Sequence, residues 1–317
     1  MRTEAFTFGS DPEFMLLRGG RIRSAIGVLT GNKLNRQKLG EHEYFYDNVL
    51  AECAVKPAGS RQEAVDNMRD CLRRFTRLVH PHRLMCKAAH EYDWESLDSR
   101  EAKEIGCDRE YCAYQLKEVV PPEEEFVAGQ LRTAGGHVHL GANVILEDDF
   151  GAIYATKMLD LFLGIPAVFL DGDATTRRRK QLYGQAGTFR DPEYGVEYRA
   201  LGNFWLQSPK LLSLVYDLCA FTLNFLAARK HLDLWTIDLE TLDSDDAWND
   251  EDFDPANCHR CVGYDAESVK EAINTMSKSK AQKHLNFIAE HLPPQLHDRI
   301  LSLSNQNWDL YREWKLK

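Results

Sequence analysis

The stretch Gly135-Gly136-His137-Val138-His139-Leu140-Gly141 sets two histidines two residues apart. Side chains alternate along a β-strand, so His137 and His139 share one face while Val138 and Leu140 take the other. The glycines let a ligand or another backbone come close. Such a strand is either the floor of a site or a pair of half-exposed histidines. Three further stretches present ionisable groups in the same way. Asp11 and Glu13 share a face of a strand-like segment opposite Phe14 and Leu16, unless Pro12 marks a solvated edge. Glu52 lies inside an apolar segment, on the face of Tyr46, Asn48 and Leu50. A buried carboxylate there needs a partner. Glu197 and Arg199 share a face opposite Val196, Tyr198 and Ala200. If these strands are neighbours, the groups converge. Crowded carboxylates repel unless cations or protons intervene. Oxygen ligands with few nitrogens suit Mg²⁺ or Mn²⁺ better than zinc.

Arg177-Arg178-Arg179-Lys180 is the densest basic cluster, and Tyr183 to Arg190 continues it with Gly184 and Gly187. A solvated charge run is one reading. A phosphate-holding loop is the other, because arginine grips phosphate through fixed forked donors. Carboxylates that hold divalent ions, beside such a loop, describe a nucleoside triphosphate site without a Walker motif. Two other clusters count for less. Cys258-His259-Arg260-Cys261 is half a zinc knuckle and would need ligands such as Cys107 and Cys112, so reduced thiols are the favoured reading. Asp238 to Asp254 holds nine acidic residues and no basic one. Counted from Asp243, the sixth position is Trp248 rather than the glycine of a calcium loop, which suggests an exposed acidic loop.

The elements that must position these groups alternate along the chain. Ala5–Phe8 and Glu13–Leu17 read as one strand interrupted by Gly9 to Pro12. Arg18–Leu39 reads as a hairpin with loops, and Tyr44–Val55 as a strand. Ser60 caps a helix with Glu63 completing a capping box; Val65, Met68, Leu72, Phe75 and Leu78-Val79 form its apolar stripe. Leu84–Ala89 is a short strand, and Leu131–Val144 is the strand that carries the histidines. Asp148–Phe169 reads as an apolar helix bent near Gly164 and Pro166. Gly195–Leu201 is a strand, Ser208 caps a helix to Ala228, and a polar helical tail from Ala266 breaks at Pro293-Pro294.

The chain has 317 residues, 44% hydrophobic content and a net charge of −10. That is enough for a sizeable core, and the acidic balance argues against general nucleic-acid binding. Eight cysteines in this length do not suggest a disulfide scaffold. The apolar run Leu161–Leu170 is too short to span a bilayer, and no signal peptide is evident, so a soluble cytoplasmic protein without membrane contact is expected.

Five motifs together resemble a known family. They are Asp11-Pro12-Glu13-Phe14-Met15; Asp47-Asn48-Val49 followed by Glu52; Gly135 to Gly141; Tyr183-Gly184 to Phe189-Arg190; and Tyr194-Gly195-Val196-Glu197-Tyr198-Arg199 with Leu201. In this order they resemble the phage COOH–NH2 ligase type 2 family, within the glutamine synthetase and glutamate–cysteine ligase superfamily. The motifs run from Phe8 to Leu206, and nothing from about Asp233 onward matches.

The resemblance implies an α+β fold, with a strongly curved, mainly antiparallel sheet that carries the site and helices packed behind it. It implies one ligase domain over residues 1–317, with a motif-bearing core at 4–232 and a helical extension at 233–317. It also implies Mg²⁺ (or Mn²⁺) on Asp11, Glu13, Glu52, His137 and Glu197. His139 would approach the phosphates of ATP, Arg199 would neutralise the transferring phosphoryl group, and Arg190, Lys180 and Arg178 would hold phosphate or carboxylate. Only Asn48 stands where relatives have a further upstream glutamate, which leaves the metal count open. The implied chemistry is ATP-dependent amide or isopeptide formation through an acyl phosphate. The carboxylate and amine would be small molecules or peptide side chains, and the amine would be met by loops around 18–41 and 106–118. A phage origin would place the protein in host cytoplasm, with a homo-oligomer as an option. A guanidino-type kinase on the same scaffold, a non-catalytic binding protein and a zinc hydrolase using the two histidines are the rival readings.

Overall fold

Strand β1 (Phe6–Arg18) is long enough to serve two partners on each side. Its first half pairs antiparallel with β11 (Gly136–Ala142) and with β5 (Leu50–Ala58). Its second half pairs with β2 (Arg21–Arg23), across the Gly19-Gly20 turn, and with β6 (Arg83–Met85). The strand runs without interruption through Gly9 to Pro12, where a break was expected. The irregularity shows instead as a register shift against β5 between Phe8 and Ser10. Pro12 lacks only an N–H and sits opposite Gly136 in unshifted register with β11, so the strand continues past it.

The main sheet continues through β3 (Gln37–Leu39), β4 (His42–Asp47), β8 (Glu110–Cys112), β9 (Lys117–Val119), β12 (Thr188–Arg190) and β13 (Gly195–Tyr198). The order is β3-β4-β5-β1-β11-β13-β12-β8-β9. Every named strand pairing among the described residues is antiparallel. A separate two-stranded sheet joins β7 (Ala89–Glu91) to β10 (Leu131–Thr133), so the segment expected as one strand from Leu131 is two. The computed structural model describes residues 4–103, 110–119, 129–148, 150–234 and 265–317. Cys258, Cys261, Cys107 and the acidic segment 238–254 lie outside them.

Tyr44–Val55 is likewise not one strand. It is the β4–β5 hairpin, with Asn48 in the left-handed region at φ 55°. Asn tolerates that conformation, and a two-residue turn reverses the chain there.

Helices pack on the face of the sheet that holds Val138, Leu140, Val196 and Tyr198. Helix α1 (Arg61–Val79) starts with the expected cap, the Ser60 hydroxyl accepting from the Glu63 N–H, but the Glu63 carboxylate closes on the Gly59 N–H, one residue before the cap, rather than on that of Ser60. Val65, Met68, Leu72 and Phe75 are buried as expected, whereas Leu78 is 41% exposed. Helix α2 (Gly151–Leu170) carries a π turn over Asp160–Gly164, where the bend was expected. Helices α3 (Thr176–Leu182) and α4 (Pro209–Ala227) follow. By length and hydropathy α2 and α4 could each cross a bilayer, but 83% and 61% of their apolar windows are buried within the fold.

The tail forms four helices: α5 (Ala266–Thr275), α6 (Lys278–Ala289), α7 (Pro294–Leu303) and α8 (Leu310–Trp314). Although polar overall, these helices add Val269, Ile273, Leu285, Ile288, Ile300 and Trp314 to the main core. The Trp314 indole donates to the Leu206 carbonyl at 2.7 Å and is 1% exposed. Deleting this side chain leaves a large void and an orphaned carbonyl. Trp314→Ala should therefore cost about 3–5 kcal/mol, read as a lower urea midpoint at unchanged slope. An unchanged midpoint would show that the tail is peripheral.

Candidate active site

The free face of the sheet forms a cleft of about 690 Å³. Of the residues expected in the site, Asp11, Glu13, Glu52, His137, His139, Arg190, Glu197 and Arg199 line it. Strand register brings them together. Asp11 lies opposite His137 and Glu13 opposite Glu52. His139 and Arg190 each lie opposite Glu197, from the two sides of β13. Directly opposed side chains on one face are within contact reach.

The contacts are close. Asp11 Oδ1 is 3.2 Å from His137 Nδ1 and 3.1 Å from His139 Nε2. His137 Nδ1 is also 3.6 Å from Glu197 Oε1. Asp11, His139 and Glu197 offer ligand atoms within 4.8 Å of one another, the spacing that can share a cation. Both histidines thus stand at the carboxylates. The Tyr194 hydroxyl and His139 Nδ1 are 2.5 Å apart, which fixes the ring and turns Nε2 toward Asp11. A Cβ on Gly135 would come within 2.6 Å of His137 Nε2, so only glycine leaves that imidazole its place.

Arg199 is held at both ends. Its Nε donates to Glu110 at 3.0 Å and its Nη1 contacts Glu197. Arg190 reaches the other Glu197 oxygen at 3.6 Å. Glu110 and Arg199 are both buried, so each charge compensates the other.

The two remaining basic residues are elsewhere. Arg178 pairs with Glu91 at 2.5 Å on an exposed face. Lys180 is buried and donates to the carbonyls of Gly184 and Ala200. Neither lines the cleft. The reason is local: the basic run is part of helix α3 rather than a loop, and its two side chains are engaged by Glu91 and by the Gly184 and Ala200 carbonyls. Of the loops expected to meet the amine, the first supplies Lys33 and Arg36 to the cleft; from the second, no described residue lines it.

Asp47 was not among the expected residues, yet it lines the cleft, 3.8 Å from Lys33. The strand parity assumed through Asn48 hid it; the Asn48 turn was the signal that could have revealed it. Glu110 follows no recognisable alternation and gave no such signal. Tyr183 and Tyr194 also line the cleft, and Arg179 is buried close behind it.

Burial pushes the carboxyls of Glu13 and Glu197 up to about 7, with Asp11 adding to both. Burial, then Asp11, Glu13 and Asp47, raise Glu52 well above the usual carboxylate range. Burial also acts to raise Asp11, but His139 and His137 outweigh it and hold that carboxyl well below its ordinary value. Burial and the Arg199 charge push His137 down to about 3, which keeps it neutral and able to ligate.

Among the described residues, five buried atoms lining the cleft make no hydrogen bond of good geometry, Ser10 Oγ, Asp11 Oδ1, both nitrogens of His137 and His139 Nε2, although Asp11 Oδ1 lies within 3.2 Å of one nitrogen of each histidine. Buried polar atoms normally find partners. Carboxylate oxygens and imidazole nitrogens converging with poor hydrogen-bond geometry fit a divalent cation, so the donor set passes that test.

A cation requires the ionised carboxylates, so its affinity must fall as pH drops through the raised values. Mg²⁺ or Mn²⁺ should raise the melting temperature at pH 8 and much less at pH 6, with about a tenfold loss of affinity per pH unit below 7 for each carboxyl that must ionise. Cation stabilisation that is equal at the two pH values would contradict this.

A search of curated proteins finds no match. A family model described as phage phiEco32-like COOH.NH2 ligase-type 2 matches residues 113–316. The match takes in the His137–His139 strand, Arg190, Glu197 and Arg199, together with the C-terminal helices that no motif reached. Asp11, Glu13 and Glu52 precede it and join the matched part through β-pairing. With nearly two-thirds of its length matched and the expected motifs in one cleft, the chain belongs to the phage phiEco32-like COOH.NH2 ligase-type 2 family.

Proposed function

We propose that the protein uses ATP and Mg²⁺ to join a carboxylate to an amine through an acyl phosphate. The observation that carries this reading is the convergence of Asp11, Glu13, Glu52 and Glu197, with the ligand nitrogens of His137 and His139, beside two arginines in one cleft. A carboxylate is a poor acyl donor because oxide would have to leave. Its oxygen attacks the γ-phosphorus of ATP, the bond to the β-γ bridging oxygen breaks, and ADP departs. The amine, once its ammonium form has given up a proton, attacks the acyl carbon; phosphate leaves with the C–O bond's electrons, and the second N–H proton passes to that phosphate or to water. Both steps need positioning and charge neutralisation rather than a covalent protein nucleophile.

Asp11, His139 and Glu197 would hold one cation, with His137 at the same Asp11 oxygen. Glu13 and Glu52, with Asp47 near, would hold another. Bound there, the cations neutralise phosphate charge. Arg199, fixed by Glu110 and Glu197, meets the charge that builds up on the transferring group. Arg190 stands beside it. The carboxylates toward β4 and β5 offer an anionic surface to an arriving ammonium group.

A screen of carboxylates against amines, followed by phosphate release, tests the reading. Turnover should require Mg²⁺ and ATP and yield an amide with free phosphate. Glu13→Gln should abolish it, a loss on the order of 10²-fold or more. Full activity in that variant would sink the assignment, and a phosphorylated nitrogen as product would identify a kinase instead.

A further inference from the structure

The basic run Arg177-Arg178-Arg179-Lys180 is not spent on phosphate, yet two of its cations are placed with care. Strand β13 ends at Tyr198, and the carbonyls of Arg199 and Ala200 lie just beyond it. Arg179 Nη2 donates to the Arg199 carbonyl at 3.1 Å, and Nη1 to the Ala200 carbonyl at 3.4 Å. Lys180 Nζ donates to the Ala200 carbonyl at 2.5 Å and to the Gly184 carbonyl at 2.8 Å. Arg179 is 0% exposed and Lys180 4%. The Tyr183 ring meets two guanidiniums, 5.2 Å from that of Arg179 and 5.1 Å from that of Arg199. A Cβ on Gly184, at φ 66°, would fall on the Arg179 guanidinium, so the loop is shaped around this side chain.

A buried guanidinium and a buried amine, the latter pushed down to about 7 by burial and the Arg179 charge, are a costly means of satisfying three carbonyls, since small neutral donors would do it with far less desolvation. What the two side chains add is rigidity. The Arg179 fork fixes two successive peptides at once, and Tyr183 carries that constraint to the Arg199 side chain. On the other side, the Tyr198 hydroxyl donates to the buried Asp160 carboxylate at 2.7 Å, within the π turn of α2. Arg199 is therefore fixed before, after and along its side chain.

We propose that Arg179, supported by Lys180 and Tyr183, is a positioning residue that aims the Arg199 guanidinium at the transferring phosphoryl group. This rests on the ATP reading given above. A purely structural clamp would weaken every ligand alike. A positioning residue affects the planar, transferring phosphoryl far more than the ground-state nucleotide.

The test compares two probes by calorimetry, Mg·AMP-PNP and Mg·ADP with aluminium fluoride, on wild-type protein, Arg179→Met, Arg179→Lys and Lys180→Met, with melting curves for each. Arg179→Met should lose about a hundredfold in affinity for the aluminium fluoride complex and less than about threefold for Mg·AMP-PNP. Arg179→Lys should recover part of the loss, and Lys180→Met should show the same split to a smaller degree. If Arg179→Met does not fold, the other two variants decide. Parallel losses for both probes, or none for either, overturn the positioning role. Wild-type protein that binds Mg·AMP-PNP but takes no aluminium fluoride also overturns it and leaves the nucleotide reading standing. Wild-type protein that binds neither probe overturns the nucleotide reading, and this inference with it.

Discussion

Carboxylates crowded on the free face of one sheet are the constraint on which the rest depends. Asp11, Glu13, Glu52 and Glu197 line a single cleft, and burial, with Asp11 adding to it, raises three of them above their ordinary range. Such a set is unstable by itself. The fold offsets it with His137 and His139 against Asp11, and with Arg190 and Arg199 against Glu197. The two histidines and Arg190 arrive from neighbouring strands, and Arg199 from just beyond the end of the strand that carries Glu197. The order of strands is thus an electrostatic arrangement as well as a hydrophobic one.

The opposite face makes that arrangement affordable. Val138, Leu140, Val196 and Tyr198 alternate with the site residues and enter a core built with α1, α2, α4 and the C-terminal helices. Polar and apolar roles are divided by pleat alone, so a one-residue slip in β11 or β13 would exchange them. Register is further secured at particular points. Asp160 anchors Tyr198, the Trp205 indole donates to the Gly136 carbonyl, and Asn203 donates to the Glu13 carbonyl. The core below and the site above therefore depend on the same pairings.

Much of this was legible because alternation and capping are local. The faces of β1, β11 and β13, the Ser60–Glu63 cap and the Ser208 cap all appear as read. What was misread was local in form but decided elsewhere. The β4–β5 hairpin passed for one strand because Asn48 can sit in a strand or in a left-handed turn, and this concealed Asp47. Arg178 and Lys180 passed for phosphate ligands because a basic run beside glycines looks the same whether it is loop or helix. The tail looked like an appendage because its apolar residues are sparse, although they complete the core.

Sequence by itself determined which residues could do chemistry and which face each would take, because a strand's period of two acts between immediate neighbours. It also carried the family, through motifs set in order along the chain. Only the tertiary structure decided which carboxylates meet and which cation serves which anion. Only there does Glu110 reach Arg199, 89 positions away along the chain, and Arg179 turn inward to hold the Arg199 and Ala200 carbonyls. Those outcomes depend on strand order and helix packing, which no single segment encodes.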